Sequence, residues 1–250
     1  MLLHTLRTQL EYFLQLIDRL DTTRIDVVAV DLPGHGRSSA PRVDYTADYF
    51  ADAIEQLLER IDLREAVLAG DSIGGTIALT LAARRNPRVA RVIAVNPYDY
   101  GRWGGIRRSS KLARVLITAL LWPGVGPVVA RSATPGILRR IMEGGLYDRR
   151  VLPPSLIDEL YRCGSLPGHA RAFRSLNKEW RTWIDARLQY SAIELPVTLV
   201  YGSDDWSRPH EREENTRLIP GVRTCLLSRC GHFASLERPD AVARLIGELE

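Results

Sequence analysis

Apolar residues in this chain fall into short runs closed by Gly, Pro or Asp, and between those runs they recur at helical spacing. Val27–Asp31, Ala66–Gly70, Arg91–Asn96, Pro196–Gly202 and Arg223–Leu227 have the length and apolar content of buried strands. Helical periodicity predicts helices over Tyr45–Ile61, Thr76–Arg85 and Asp240–Glu248. Leu10, Phe13, Leu14 and Ile17 predict another from about Thr8 to Leu20. Strands alternating with helices build a mostly parallel, doubly wound α/β sheet. Between Pro97 and Leu195 the alternation stops for almost a hundred residues, and the pattern turns helical and proline-punctuated. A stretch of that length is too long for a plain loop. It predicts a helical cap insertion of four or five helices, residues 98–195, on a core formed by residues 1–97 and 196–250.

The chemistry concentrates where predicted strands end. Gly70-Asp71-Ser72-Ile73-Gly74 lies between the run Ala66–Ala69 and the small-residue stretch Gly75–Ala83. A serine in so tight a strand-to-helix turn is strained and exposes its hydroxyl. The glycines leave room where a β-carbon would collide with the neighbouring strand or helix. The helix N-terminus offers free N–H groups and a positive dipole end, which suits a nucleophile that generates an oxyanion. The strand Pro196–Tyr201 runs into Gly202-Ser203-Asp204-Asp205-Trp206, which places a carboxylate on the ligand-binding edge of an open α/β sheet. The strand Arg223–Leu227 is followed by Cys230-Gly231-His232-Phe233. A serine hydroxyl is a poor nucleophile until a base removes its proton, and an acid must hold that base in the right tautomer. Ser72, an aspartate and His232 supply these parts in the chain order nucleophile, acid, histidine.

The chain resembles α/β-hydrolases of the single-domain, capped type with a serine nucleophile, over nearly its whole length. Val27–Ser39, with Asp31-Leu32-Pro33-Gly34-His35-Gly36-Arg37-Ser38, is similar to the strand and loop that precede the nucleophile turn in that family. Gly231-His232-Phe233-Ala234-Ser235-Leu236-Glu237-Arg238-Pro239 is similar to its histidine loop. Family spacing implies Asp205 as the acid, with Asp204 in reserve. Some members carry the acid after the preceding strand, which makes Asp99 a third candidate. The resemblance also implies that the N–H groups of Ile73 and Leu6 form the oxyanion hole. The departure is at the front, where members open with two further strands and a third that ends in His-Gly. Met1–Leu6 begins inside that third strand, with Thr5 in place of the glycine, and the resemblance implies that the first two strands are lacking through a mis-assigned start or a truncation. If position 5 needs a positive φ, Thr5 is strained and Thr5→Gly raises activity.

These readings imply a hydrolase that cleaves a carboxylic ester or related acyl substrate through a Ser72–His232–Asp205 triad and an acyl-enzyme. No metal or organic cofactor is called for. Relatives that open epoxides or remove halides place an aspartate at the centre of the turn, where this chain has Ser72. Asp71, one position off-centre, is expected in solvent or in a salt bridge. Carbon–carbon bond hydrolysis of vinylogous diketones uses the same triad, and the many arginines of the insertion suit a substrate carboxylate. A non-catalytic binding protein that kept the fold is the reading from a different class.

Composition narrows the partners. A net charge of +4 with pI near 9.1, carried by interspersed arginines, gives no nucleic-acid stripe. Cys163, Cys225 and Cys230 lack metal spacing and read as reduced thiols of a cytoplasmic protein. No secretory signal is visible. Leu112–Ala130, preceded by Arg102, Arg107, Arg108, Lys111 and Arg114, is the most apolar part of the insertion. Pro123, Gly124, Gly126 and Pro127 break it well short of the ~20 residues a membrane span needs. It reads as a cap helix over the active site, and membrane association is not expected. Trp103, Trp122, Trp180, Trp183 and Phe173 are expected in the core and pocket wall, Trp206 in the pocket, and His35 in loop contacts. His169 and His210 receive no role, and nothing in the sequence addresses oligomeric state.

Overall fold

Strand-forming runs that are apolar on both faces need helices above and below them, and the observed architecture supplies both layers. The computed structural model describes residues 1–100 and 105–248. In chain order the first elements are β1 (Leu2–Leu3), a 3₁₀ turn (Leu10–Phe13), α1 (Leu14–Ile17), β2 (Ala29–Val30), α2 (Ala47–Arg60), β3 (Ala66–Asp71), α3 (Ile73–Ala83) and β4 (Val89–Val95). The helical insertion holds α4 (Lys111–Leu120), α5 (Gly126–Arg131), α6 (Pro135–Glu143), α7 (Pro154–Gly164), α8 (His169–Lys178), α9 (Trp180–Asp185) and a 3₁₀ segment (Ala186–Ala192). The chain then returns through β5 (Val197–Gly202), α10 (Pro209–Leu218), β6 (Arg223–Leu227), α11 (Ala234–Glu237) and α12 (Pro239–Gly247).

The six strands form one parallel sheet in the order β2-β1-β3-β4-β5-β6. β1 is only two residues long, yet it pairs on both sides, Leu2 with Ala29 and Ala69, and Leu3 with Val30 and Gly70. The chain moves one way from β1 to β2 and the other way from β3 onward. The crevice beyond the ends of β1 and β3 is therefore the topological switch point at which such sheets bind ligands. Side chains alternate across the sheet. Leu68, Val92 and Leu199 join Phe50, Ile54, Leu58, Ile77, Leu81, Trp183 and Tyr190 on one face. Ala69, Ile93, Val95 and Val200 join Tyr12, Phe13, Leu16, Val242, Leu245 and Ile246 on the other. Each large side chain buried this way contributes about 1.5–3 kcal/mol of transfer free energy. The insertion meets both layers: Trp183 and Tyr190 enter the first cluster, while Leu138, Met142 and Leu156 enter the second.

Three expectations change on contact with the structure. The helix expected over Thr8–Leu20 splits into the 3₁₀ turn and the four-residue α1, because Phe13 sits at φ −94°, ψ 0°, with Tyr12 and Phe13 both turned into the core. The Leu112–Ala130 stretch breaks between α4 and α5, at the Pro and Gly residues expected to interrupt it, but one side chain there departs from expectation. Trp122, expected inside, is 59 % exposed, as the chain turns outward there. Trp183 is fully buried, while Arg102 and Trp103 lie outside the described residues. α10 was not anticipated, since Pro209–Leu218 carries almost no apolar periodicity. It is set by Pro209 in its first turn and by Glu211, whose carboxylate accepts the Arg208 N–H at 2.7 Å. Among the described residues no helix is long and apolar enough to cross a membrane.

Candidate active site

β3 runs straight into α3 with Ser72 as the joint, at φ 57°, ψ −114°. A non-glycine residue pays strain for a positive φ, and the surroundings must enforce it. Here the Ser72 N–H donates to Val95 O at 2.8 Å, and its carbonyl accepts from Tyr98 N and Thr76 N, both at 3.1 Å. The two flanking glycines are required by contact. A β-carbon on Gly70 would stand 2.3 Å from Gly74 C, and one on Gly74 would stand 2.0 Å from Leu3 O.

The loops after β5 and β6 bring Asp205 and His232 to the same point. His232 Nε2 lies 3.0 Å from Ser72 Oγ, and Nδ1 lies 2.5 Å from Asp205 Oδ1. A carboxylate at Nδ1 fixes the proton there and leaves Nε2 as acceptor for the serine hydroxyl. Both the Asp205 and the His232 side chains are sealed from solvent. Burial alone would raise the Asp205 carboxyl's pKa. The neighbouring imidazole and the hydrogen bonds from Ser207 outweigh it and hold the group below the usual carboxylate range. Ser207 contributes both its N–H, at 2.8 Å, and its hydroxyl to Asp205 Oδ2. Asp204 is exposed and accepts the Ser203 hydroxyl at 2.6 Å. Asp99 is buried elsewhere, with its carboxylate taken by Tyr190 and Asn215.

The loop after β1 is anchored by His4. This side chain is fully buried, its Nε2 accepts the Leu32 N–H at 3.0 Å, and its Nδ1 must then donate to Thr5 O at 2.8 Å. Burial holds the ring neutral, with its pKa pulled down to about 4. The Thr8 hydroxyl and N–H also donate to Thr5 O, at 2.9 and 3.2 Å. A trans peptide points its N–H opposite to its C=O. Fixing the Thr5 carbonyl inward therefore turns the Leu6 N–H outward, and fixing the Ser72 carbonyl does the same for Ile73. Among the described residues neither N–H donates a hydrogen bond. Thr5 is not strained: the positive φ, 63°, falls on Arg7.

Leu6 and Ser72 share the wall of one cavity of about 70 Å³. α4 supplies Leu116, Ile117 and Leu120, α6 supplies Leu138 and Ile141, and Phe173, Trp206 and Phe233 complete the apolar lining. Trp206 lies flat on His232, ring centroids 3.9 Å apart at 16°, and limits the imidazole to one orientation. The outer sides of α4 and α5 leave Val115 and Val128 exposed at 65 % and 66 %. Among the described residues no arginine of the insertion lines the cavity, and three of them are engaged by other groups. Arg108 pairs with Glu211 at 2.7 Å, Arg171 donates to Ala40 O at 2.6 Å, and Arg174 donates to Leu120 O at 3.0 Å.

Sequence reasoning missed several residues that hold this arrangement. Asn96, at φ 45°, donates to Gly231 O and His232 O at 3.1 and 2.9 Å and accepts the Gly202 N–H at 2.9 Å, tying β4, β5 and the histidine loop together. Glu237 accepts Gly231 N at 2.6 Å and Asp148 N at 2.8 Å, joining that loop to the insertion. A polar residue directly after a strand, as in Asn96-Pro97, was the signal available for the first. Asp71, expected in solvent or in a salt bridge, is only 1 % exposed. As the last residue of β3 it faces the α1 layer, where Tyr12 and Ser235 hydroxyls donate to it at 2.7 Å each. Burial raises its pKa despite those bonds. His35 packs against His4, as a loop-packing residue should, and buried His169 holds Gly36 O at 3.1 Å.

Comparison with known proteins places the architecture. A family profile described as the alpha/beta hydrolase fold matches residues 1–122. Among curated proteins the chain is similar to a 2-hydroxy-6-oxo-2,4-heptadienoate hydrolase of Pseudomonas putida, 26 % identical over 229 residues that cover 89 % of this chain and 77 % of that one. Among solved structures it superposes on a meta-cleavage product hydrolase from Pseudomonas fluorescens with a TM-score of 0.79 at 21 % identity, covering 99 % of this chain and 88 % of the other. The enol-lactonase from Burkholderia xenovorans superposes with a TM-score of 0.74 at 22 % identity, with the same coverages. At these identities the solved structures carry the fold.

Proposed function

We propose, from the premise that the chain belongs to the α/β-hydrolase superfamily and is a hydrolase, that it is a serine hydrolase acting on a carboxylic ester or related acyl substrate through an acyl-enzyme. The observation that carries this reading is the continuous chain from Asp205 through His232 to Ser72 Oγ, 2.5 and 3.0 Å, opening on an apolar cavity. Ser72 attacks the acyl carbonyl while His232 Nε2 takes its proton. Asp205 holds the imidazole and stabilises its charged form. The N–H groups of Ile73 and Leu6 receive the developing oxyanion, where loss of one donor typically costs about 10²–10³ in rate. His232 returns the proton to the leaving alcohol, and water then repeats the sequence to release the acid. Helices α4 to α6 act as the lid. A cavity of about 70 Å³ favours a short acyl group or a lid that opens for a larger one.

Carbon–carbon bond hydrolysis stands as a second reading, supported by the names of the relatives that the chain resembles. The same triad serves both. Intact-mass labelling with a fluorophosphonate separates catalytic from non-catalytic: wild type takes up one adduct and Ser72→Ala takes up none. Absence of an adduct on folded wild type sinks the serine hydrolase reading. Turnover of an ester panel against a vinylogous diketone then decides between the two chemistries.

A further inference from the structure

The cavity that Ser72 and His232 share has a mostly apolar lining, broken by that pair, by the hydroxyl side chains of Thr5, Tyr98 and Ser132, and by one arginine. Among the described residues around it, Arg7 is the only permanently charged side chain. Several arginines elsewhere in the chain are matched: Arg84 bridges Asp48 and Asp52, Arg37 bridges Glu11 and Glu159, and Arg108 meets Glu211. Arg7 has no carboxylate partner and makes no hydrogen bond among the described residues. What it touches is the face of Phe173, with its guanidinium carbon 4.7 Å from the ring centroid. That ring faces the same cavity. Desolvation is the one cause acting on the group, and it pulls the guanidinium's pKa down to about 10. Arg7 is half-buried rather than sealed, and a cation held largely out of water without an anion is costly unless something else supplies the anion.

The backbone adds an independent observation. Arg7 directly follows Leu6 and holds φ 63°, a left-handed conformation that disfavours any residue with a β-carbon. Thr5 and Thr8, on either side, are locked by the hydrogen bonds to Thr5 O described above. The loop is thus fixed in a geometry that places Arg7 in the cavity wall, with its guanidinium over Phe173 and beside Gly164. Among the described residues no anion meets that cation, and its contact is with the Phe173 ring. A planar guanidinium backed by an aromatic face presents its N–H groups in the fork that binds a carboxylate bidentately.

We propose that Arg7 is the specificity-determining residue of this site and selects substrates that carry a carboxylate away from the scissile bond. This rests on the hydrolase reading above and sharpens it to acid-bearing acyl compounds, whether ester or diketone. The apolar wall takes the chain of such a substrate, Arg7 takes its anionic end, and the reacting carbonyl lies between Ser72 Oγ and the N–H groups of Leu6 and Ile73. One short segment, residues 5–7, then carries both oxyanion stabilisation and anion recognition, so an anion seated on Arg7 also steadies the Leu6 N–H.

The test has a turnover arm and a binding arm. In the first, kcat/KM is measured for monomethyl glutarate against dimethyl glutarate, and for acetoxyacetic acid against its methyl ester, which separates an acid on the acyl side from one on the alcohol side. Wild type prefers the acid of at least one pair, and Arg7→Gln lowers that preference by about 10- to 100-fold, mainly through KM. Arg7→Lys restores part of it. In the second arm, glutarate is titrated calorimetrically into wild type and Arg7→Gln, with glutaric diamide as the neutral control. Glutarate binds wild type more tightly than the diamide, and the variant loses the difference. An unchanged acid preference in Arg7→Gln, or glutarate bound no better than the diamide by wild type, overturns the proposal; the second result needs no variant to fold. Glutarate bound through Arg7 by a protein that turns over no ester or diketone leaves the subsite standing and removes the hydrolase reading.

Discussion

Two carboxylates end neighbouring strands of this sheet, Asp99 beyond β4 and Asp205 beyond β5, and both side chains are closed off from solvent. Their chemistry is opposite. Asp205 faces an imidazole that can become a cation, and it is held below the usual carboxylate range. Asp99 meets neutral donors only, the Tyr190 hydroxyl at 2.9 Å and Asn215 Nδ2 at 3.0 Å from each oxygen. Arg187, the nearest cation, donates to the Asp99 backbone carbonyl and pairs its other nitrogen with Glu214. Burial dominates and pushes the Asp99 carboxyl up to about 6. Burial alone therefore does not make a carboxylate catalytic. The partner decides whether the charge is kept for chemistry or the group is held as architecture.

The largest way to break this contrast is to remove one charge at a time. Asp205→Asn loses about 10⁴ in kcat, because an amide no longer fixes the proton on Nδ1 and His232 is left in the wrong tautomer. Turnover with a reactive ester, together with a thermal melt to verify folding, measures it. Asp99→Asn leaves turnover within about tenfold, since the group does not touch His232. If Asp99→Asn were the silencing change and Asp205→Asn the mild one, the two roles would be reversed.

A smaller effect separates them by pH. Asp99 binds its proton more tightly folded than unfolded, because its folded pKa of about 6 exceeds the unfolded value of 3.8. Across that window the folded state carries more protons, so raising the pH from about 4 to 6 removes stability, on the order of 3 kcal/mol at most, and the loss persists above pH 6. Asp205, with its pKa lowered, acts in the other direction: its contribution is present above its unfolded pKa and fades as the pH falls through the folded one. Melting curves of wild type and Asp99→Asn between pH 4 and 7 differ in slope by the Asp99 part. Parallel curves would mean that the pocket around Asp99 is wetter than its burial indicates.

The sequence made the frame legible because each long strand was a continuous apolar run and each catalytic candidate followed one. The elbow was readable because Gly70 and Gly74 meet backbone atoms at distances no β-carbon tolerates, and sequence preserves that demand as a spacing. Asp204 and Asp205 could not be separated by composition. Only the turn after Gly202 sends one outward to Ser203 and the other inward to His232. His4, Asn96 and Glu237 were silent because they act on backbone groups of distant segments, and a single polar side chain carries no period that reveals such a partner. Asp71 misled for a related reason. Its neutral donors, Tyr12 and Ser235, lie 59 and 164 residues away.

The smallest expected effect bears on where strain is stored in the β1 loop. A threonine in place of the expected glycine suggests a position forced toward positive φ, which Thr5→Gly would relax with a gain in rate. The backbone assigns that conformation to Arg7 instead, at φ 63°. Thr5 is buried, its carbonyl is held by His4 and Thr8, and it is not among the residues with a positive φ. Glycine there frees the unfolded chain and removes a buried methyl, so Thr5→Gly lowers the melting stability by roughly 1 kcal/mol. It also loosens the peptide whose far side carries the Leu6 N–H, so turnover falls modestly in step with stability. A rise in kcat on Thr5→Gly would put the strain back at position 5. The left-handed backbone at Arg7 would then be an incidental turn, and it would no longer support a built anion site.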